Sequence, residues 1–237
     1  KAGVMEAGVF TASEAGTPQG GLVSPVLANI YLHYVLDLWF EKRYVRTCKG
    51  QGYLVRYADD FVACFTHEAD ARRFMDELTE RLAVFGLEVE PSKTCLLRFG
   101  SRAASDCHKD GSKRPSTFDF LGFTHYVGKS RRGRFVLGRR SQRTRIAKKL
   151  KEVSDRLSAL RVKGGRAMMD YAKRHLRGHL AYYAVSGNAR SIRTYAYRIS
   201  RLLFKRLNQR SQRRSVAWDR FGKILSGWMP SLRIQHN

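Results

Sequence analysis

The stretch YLVRYADDFVACF, residues 53–65, reads as two short β-prone segments folded back on each other around Ala58-Asp59-Asp60. Val55, Tyr57, Phe61, Ala63 and Phe65 flank the turn and predict that both strands are largely buried. Two adjacent carboxylates at the tip of such a hairpin leave two readings open. Asp is favoured in solvated β-turns. Equally, paired hard oxygen donors suit Mg²⁺, and two such ions can clamp the attacking and leaving oxygens of a phosphoryl transfer. The dipeptide alone does not choose between them.

Beyond the hairpin, Ala71, Phe74, Leu78, Leu82 and Phe85 recur at spacings of three and four and predict an amphipathic helix ending at Gly86. Strands are expected around Leu87 to Glu90 and Cys95 to Phe99. On the upstream side, the apolar run from Pro25 to about Cys48 predicts a helix, with Ser24 placed to cap it and Pro25 in its first turn. GTPQGG, residues 16–21, is a loop by its Gly and Pro content. The order helix, hairpin, helix, strand is an α+β pattern rather than a regular βαβ repeat.

Residues 100–116 read as a polar loop, and Phe118 to Tyr126 with Phe135 to Leu137 as a hairpin around a basic turn. The period then changes. Ile146, Leu150, Val153, Leu157 and Leu160 form one helical stripe, Met169, Ala172, Leu176, Leu180 and Tyr183 a second, and Ile192, Tyr195, Ile199, Leu202 and Leu207 a third. Gly164-Gly165 and Gly187-Asn188 separate them, which predicts a small helical bundle. Two domains are expected, 1–138 and 139–237.

Charge divides the chain as well. The 237 residues carry a net +25, but residues 1–100 hold 11 basic and 13 acidic residues while residues 101–237 hold 34 and 7. A hydrophobic content of 43% excludes a wholly disordered basic tail, and a surplus confined to one region is not a general solubility device. Arg131, Arg132, Arg134, Arg139, Arg140, Arg143, Arg145, Lys148 and Lys149 form a dense band, extended by Lys173, Arg174 and Arg177. Solvated helix faces normally mix charge signs; these do not, which points to nucleic acid. His175 and His179 stand one helical turn apart without an acidic or thiol partner, so packing or phosphate contact is expected rather than a metal.

Cys48, Cys64, Cys95 and Cys107 are scattered, without zinc or disulfide spacing, and reduced cytoplasmic thiols are expected. No apolar run approaches the roughly 18 residues of a membrane span, so no membrane partner is expected. The chain opens at Lys1 in mid-pattern, as though a segment preceded it.

GTPQGG with SP and AN at residues 16–29, YADD at 57–60, GLEVEPSKT at 86–94 and FDFLGF at 118–123 succeed one another in the order and rough spacing of the reverse transcriptase palm. More closely, the chain resembles the reverse transcriptase/maturase proteins of bacterial group II introns. That resemblance runs through RSQRRSVAWDRF at 210–221, which is similar to the end of the maturase thumb, or domain X. It implies a partial palm of antiparallel strands and helices followed by an all-α thumb, and RNA-directed DNA synthesis with Mg²⁺, two ions in the complete site. Asp59 and Asp60 match the metal-binding and catalytic carboxylates, and Lys93 the lysine proposed to protonate or stabilise the leaving pyrophosphate. Thr17, Pro18, Gln19, Gly20 and Tyr57 match positions at the template base and incoming dNTP; Phe118, Leu121, Gly122 and Phe123 match the primer grip.

The implied partners are structured intron RNA, an RNA template with a DNA primer, and dNTP, in a bacterial cytoplasm. The family draws another Asp from a strand upstream of GTPQGG, and residues 1–15 offer none. The chain alone is therefore expected to be inactive, its site completed by an N-terminal fingers and palm segment. A non-catalytic RNA-binding splicing cofactor, or a reverse transcriptase recruited to phage defence or CRISPR adaptation, are the competing functions.

Overall fold

The fold is seen in a computed structural model that describes residues 3–6, 9–12, 23–109, 111, 114–209 and 216–234. It divides into two compact units, 1–97 and 98–237.

The first unit opens with antiparallel strands β1 (Gly3–Glu6) and β2 (Val9–Ala12). The next apolar run is helical throughout but not uniform. Helix α1 (Ser24–Leu32) passes into a π-helical turn, His33–Asp37, then α2 (Leu38–Lys42) and a 3₁₀ turn, Tyr44–Thr47. Ser24 is the first helical residue, not the cap, which falls on Val23. Strands β3 (Gly52–Tyr57) and β4 (Asp60–Phe65) pair with Tyr57 opposite Asp60, so the turn is Ala58-Asp59. Helix α3 (Glu68–Val84) ends where Gly86 takes φ +66°, with Leu87 N–H donating to the Leu82 carbonyl and Gly86 N–H to that of Ala83. That paired closure satisfies carbonyls the helix would otherwise leave open.

The core is aromatic. Phe40, Tyr44, Phe65 and Phe74 lie 5.1–6.0 Å apart, centroid to centroid, in every pairing. Val35, Leu36, Leu78 and Leu82 complete it, and Leu54, Phe61 and Ala63 pack against it from the hairpin. Only one hairpin face is covered: Tyr53, Val55 and Tyr57 are exposed, against the expectation that both strands are largely buried. Period-2 alternation puts every second residue of β3 on the far side, and no described element covers that side. The strands expected within 87–99 do not form either. Lys93 and Thr94 N–H both donate to the Glu90 carbonyl, a turn that breaks the extended run, although Leu87 and Val89 still pack on the core.

In the second unit the expected polar loop contains a short helix, α4 (Ala103–Lys109), anchored by buried Ala103. Strands β5 (Phe118–Phe120), β6 (Phe123–Lys129) and β7 (Phe135–Ser141) form one antiparallel sheet in that order. Helices α5 (Arg143–Ala159), α6 (Gly165–Tyr183), α7 (Ala189–Asn208) and α8 (Trp218–Ser226) match the predicted stripes and add α8. Val153, Leu157, Met168, Leu176, Leu180, Ile192, Ile199, Leu203 and Phe221 form their shared core.

The division expected at 138/139 therefore lies inside this unit. Buried Asn188 explains why: its Oδ1 accepts from Ser141 N–H at 2.9 Å, and its Nδ2 donates to Ser141 Oγ at 2.9 Å and to the Tyr183 carbonyl at 2.8 Å. Sheet and helices are stitched together at the very strand end where the change of period predicts a boundary.

Candidate functional site

Asp59 and Asp60 lie exposed at the β3–β4 turn, with Tyr57 exposed beside them. Ala58 has φ +54°, a backbone region that costs a residue with a Cβ about 1–2 kcal/mol. The turn keeps this conformation because a neighbouring side chain fastens it. Arg56, on the covered face of β3, donates from Nη1 to the Ala58 carbonyl at 2.8 Å and to Asn29 Oδ1 at 2.9 Å. Its remaining nitrogens grip Asp37 through a two-pronged pair, Nε to Oδ1 at 2.8 Å and Nη2 to Oδ2 at 2.6 Å. The guanidinium holds the Asp37 carboxyl below the usual carboxylate range. One arginine thus ties the Asp-bearing turn to α1 and to the π turn that presents Asp37.

Neither Arg56 nor Asp37 stands out in the sequence. The available signal is an arginine at an inward position of an otherwise apolar strand; its partner 19 residues upstream carries no local mark. Lys93 stands exposed in the turn after Glu90. Thr17, Pro18, Gln19 and Gly20 lie outside the described residues. Among the described residues no three His, Cys, Asp or Glu side chains gather as a metal cluster. Asp59 and Asp60 fit a hard divalent cation by their donor chemistry, as part of a coordination shell.

Phe118, Leu121, Gly122 and Phe123 come together at the β5–β6 turn of the second unit. Leu121 and Gly122 both have positive φ, +49° and +78°, which is the geometry of a two-residue hairpin turn. Both of their carbonyls are engaged: Tyr182 O–H donates to Leu121 at 2.8 Å and Gln142 N–H to Gly122 at 3.0 Å. Asp119 accepts from Thr124 Oγ1 at 2.5 Å and from Gln142 Nε2 at 2.8 Å, linking the turn to the start of α5. Phe123 is buried against the rings of both Tyr182 and Tyr183. A Cβ on Gly122 would stand 2.8 Å from Tyr183 Oη, on a ring stacked against His179. Gly122→Ala is expected to destabilise this unit by about 1–3 kcal/mol, visible as a lowered thermal midpoint; an unchanged midpoint would mean the turn is looser than its contacts indicate.

Behind that clamp, His179 is 8% exposed, stacks 3.8 Å from Tyr195, and leaves Nε2 without a hydrogen-bond partner. His175 bonds Tyr195 Oη at 2.7 Å. The pair packs on Tyr195, with His179 buried and His175 half-buried. Burial pushes the His179 pKa down to about 4, with a smaller contribution from His175, whose own pKa is lowered by burial and by Lys149. Between pH 4 and 6.5 the unfolded chain takes up a proton that the folded His179 refuses, so stability is complete above about pH 6.5 and falls as pH drops. The loss from this group at pH 4.5 is about 2 kcal/mol. In His179→Phe that part of the acid sensitivity should vanish from a pH series of urea midpoints.

The predicted cations lie where solvent reaches them. Arg131, Arg132 and Arg134 are exposed at the β6–β7 turn, Arg143, Arg145, Lys148 and Lys149 on α5, Arg174 and Arg177 on α6. Three are partly engaged: Arg140 lies over the Tyr126 ring, Lys173 over Trp228, and Lys149 pairs with Glu152 at 2.6 Å. Arg139 is half-buried. Arg190, Arg193, Arg198, Arg201 and Lys205 add an exposed stripe along α7.

Comparison with known proteins bears on both units. Protein YkfC of Escherichia coli (strain K12) is 44% identical over 45 residues, 19% of this chain and 12% of that protein. Group II intron-encoded protein LtrA of Lactococcus lactis subsp. cremoris is 58% identical over 42 residues, 16% of this chain and 7% of its own length. These matches span a small part of each relative, and the LtrA match agrees with the resemblance drawn from the motifs. The sequence model of the reverse transcriptase (RNA-dependent DNA polymerase) family matches residues 5–125, from β1 through the Asp-bearing hairpin to the clamped β5–β6 turn. With just over half of its residues matched by that one model, the chain belongs to the reverse transcriptase family.

Proposed function

We propose that this chain is the palm and thumb part of a group II intron reverse transcriptase, copying RNA into DNA and binding intron RNA to assist splicing and mobility in the bacterial cytoplasm. The observation that carries the reading is the pair Asp59-Asp60 on a strained turn that Arg56 fastens to two helical segments. Preorganised geometry of this kind is what phosphoryl transfer asks of a protein, since catalysis there rests on positioning and charge neutralisation.

In the proposed reaction a primer 3′-hydroxyl attacks the α-phosphate of a dNTP in line, forming the phosphodiester and releasing pyrophosphate. Asp59 and Asp60 would hold Mg²⁺, with further ligands from the upstream strand the family carries. When bound, the ions supply Lewis-acid stabilisation of the attacking and leaving oxygens. Lys93 gives a proton or a compensating charge to the pyrophosphate. Thr17, Pro18, Gln19, Gly20 and Tyr57 are assigned to the template base and incoming nucleotide by their match to the family's positions. Phe118, Leu121, Gly122 and Phe123 set the primer, and the basic residues of 131–177 take the RNA backbone. The domain assignment that goes with this reading is a palm over 1–138 and a thumb over 139–237, sharing one compact unit from residue 98.

The test is primer extension on an RNA template by a polypeptide joining this chain to the fingers and first-Asp strand of the family, then by its Asp59→Asn and Asp60→Asn variants. Synthesis lost in both variants, with RNA binding intact, is the expected result. Synthesis that survives both refutes the catalytic assignment, and synthesis that never occurs favours a splicing cofactor.

A further inference from the structure

An open groove of about 770 Å³ runs between α5 and α7, within the 300–1,000 Å³ or so that ligand clefts occupy. Its floor is apolar: Leu150, Leu202 and Phe204. Its rim carries four exposed cations, Lys151 from one helix and Arg198, Arg201 and Lys205 from the other, against one carboxylate, Asp155. Its two neutral polar side chains are already engaged from within. Ser154 Oγ accepts from Arg206 Nη2 at 3.0 Å, and Asn208 bonds the Val216 backbone in both directions. What stays open is an apolar floor edged by cations, which suits a flat apolar body with anionic edges.

Aromatic surface continues past the groove. Trp218, 39% exposed, meets Phe204 edge-on at 4.9 Å, and the Arg201 guanidinium lies 5.6 Å over its ring. Tyr197, 55% exposed, stands 6.5 Å from Trp218 with its hydroxyl 3.4 Å from Arg201 Nη1. The pattern of alternating ring and cation is longer than one nucleotide, and base stacking on such rings is open only to bases released from a duplex.

We propose that this groove binds unpaired nucleotides of an RNA strand, one base lying on the Phe204 floor, further bases against Trp218 and Tyr197, and the phosphates between them on Arg198, Arg201 and Lys205. The inference rests on the RNA-binding reading of the second unit and adds a site that distinguishes single strands from duplex.

The experiment uses the full chain and fluorescence anisotropy at one salt concentration, with a labelled oligouridine of about 12 nucleotides and an RNA duplex of equal length. Arg198→Gln/Arg201→Gln/Lys205→Gln is compared with Arg131→Gln/Arg132→Gln/Arg134→Gln, which removes the same charge elsewhere. The groove triple should weaken single-strand binding at least about tenfold more than duplex binding, while the other triple does not discriminate. Tyr197→Ser and Trp218→Leu should each cost about 5- to 100-fold on the single strand alone; Tyr197 is exposed enough that its variant folds even if the tryptophan variant does not. The groove is wrongly assigned if the two triples act alike on both ligands, if Tyr197→Ser changes nothing, or if UMP or polyglutamate displaces oligouridine at equal site concentration. A chain that binds neither RNA overturns the broader reading, and the groove with it.

Discussion

RNA affinity of the 237-residue chain should fall about 10³- to 10⁵-fold between 50 and 200 mM monovalent salt. The drop results from counterion release if the second unit engages some six to ten phosphates. Enough cations are in place for that: those of the β6–β7 turn, α5, α6 and the α7 stripe are mostly exposed and mostly free of acidic neighbours. Residues 101–237 hold 34 basic residues against 7 acidic, whereas residues 1–100, with 11 against 13, should add almost nothing to the slope. A log–log salt plot with a slope near zero would remove nucleic acid as the partner of this surface. In Arg131→Gln the slope should shrink by a little under one, since a single phosphate contact is lost.

The Arg56→Ala variant should lose about 2–3 kcal/mol of stability in the first unit, because it strips the Asp37 carboxylate of a two-pronged partner and frees the carbonyl of the left-handed Ala58. The side chains are 12% and 28% exposed, so the loss lies below that of a fully buried pair. Arg56→Lys keeps the charge but not the planar fork, and cannot reach Asn29, Asp37 and Ala58 together; an intermediate loss is expected. Urea midpoints decide it. Equal values for Arg56→Lys and the parent would show that charge, not geometry, is what matters at this position. The pair also sets an acid limit. Its folded-state pKa is depressed, so its contribution is complete above the ordinary carboxylate range and disappears as pH falls through the lowered Asp37 value.

Much of this architecture is legible in the residues, for identifiable reasons. The α3, α5, α6 and α7 helices bury long stripes at the helical period, and the Ala58-Asp59 hairpin is bracketed by β-prone runs. The features that pattern does not reveal depend on partners. Leu87, Val89, Cys95 and Leu96 have strand propensity, but a strand exists only with a ladder, and the turn at Glu90–Thr94 removes it. The sheet–bundle seam rests on Asn188, which reaches Ser141 from 47 residues away. Within the candidate site, Asp59 and Asp60 announce themselves by adjacency. Arg56 looks like a stray charge until Asn29 and Asp37 are seen around it.

The π turn at His33–Asp37 bears on how such a site could arise and persist. A wide turn of this kind accommodates one residue more than the α-helical turn it replaces. Deleting a single residue there would restore regular helix and rotate the downstream residues by about 100° relative to α1. Asn29 and Asp37, on opposite sides of the turn, could then no longer share one guanidinium, and Phe40 and Tyr44 would swing out of the aromatic core. A one-residue change of length in this segment, in either direction, would therefore disturb the site and the core together. In a lineage of such proteins the length of this segment should vary less than its composition.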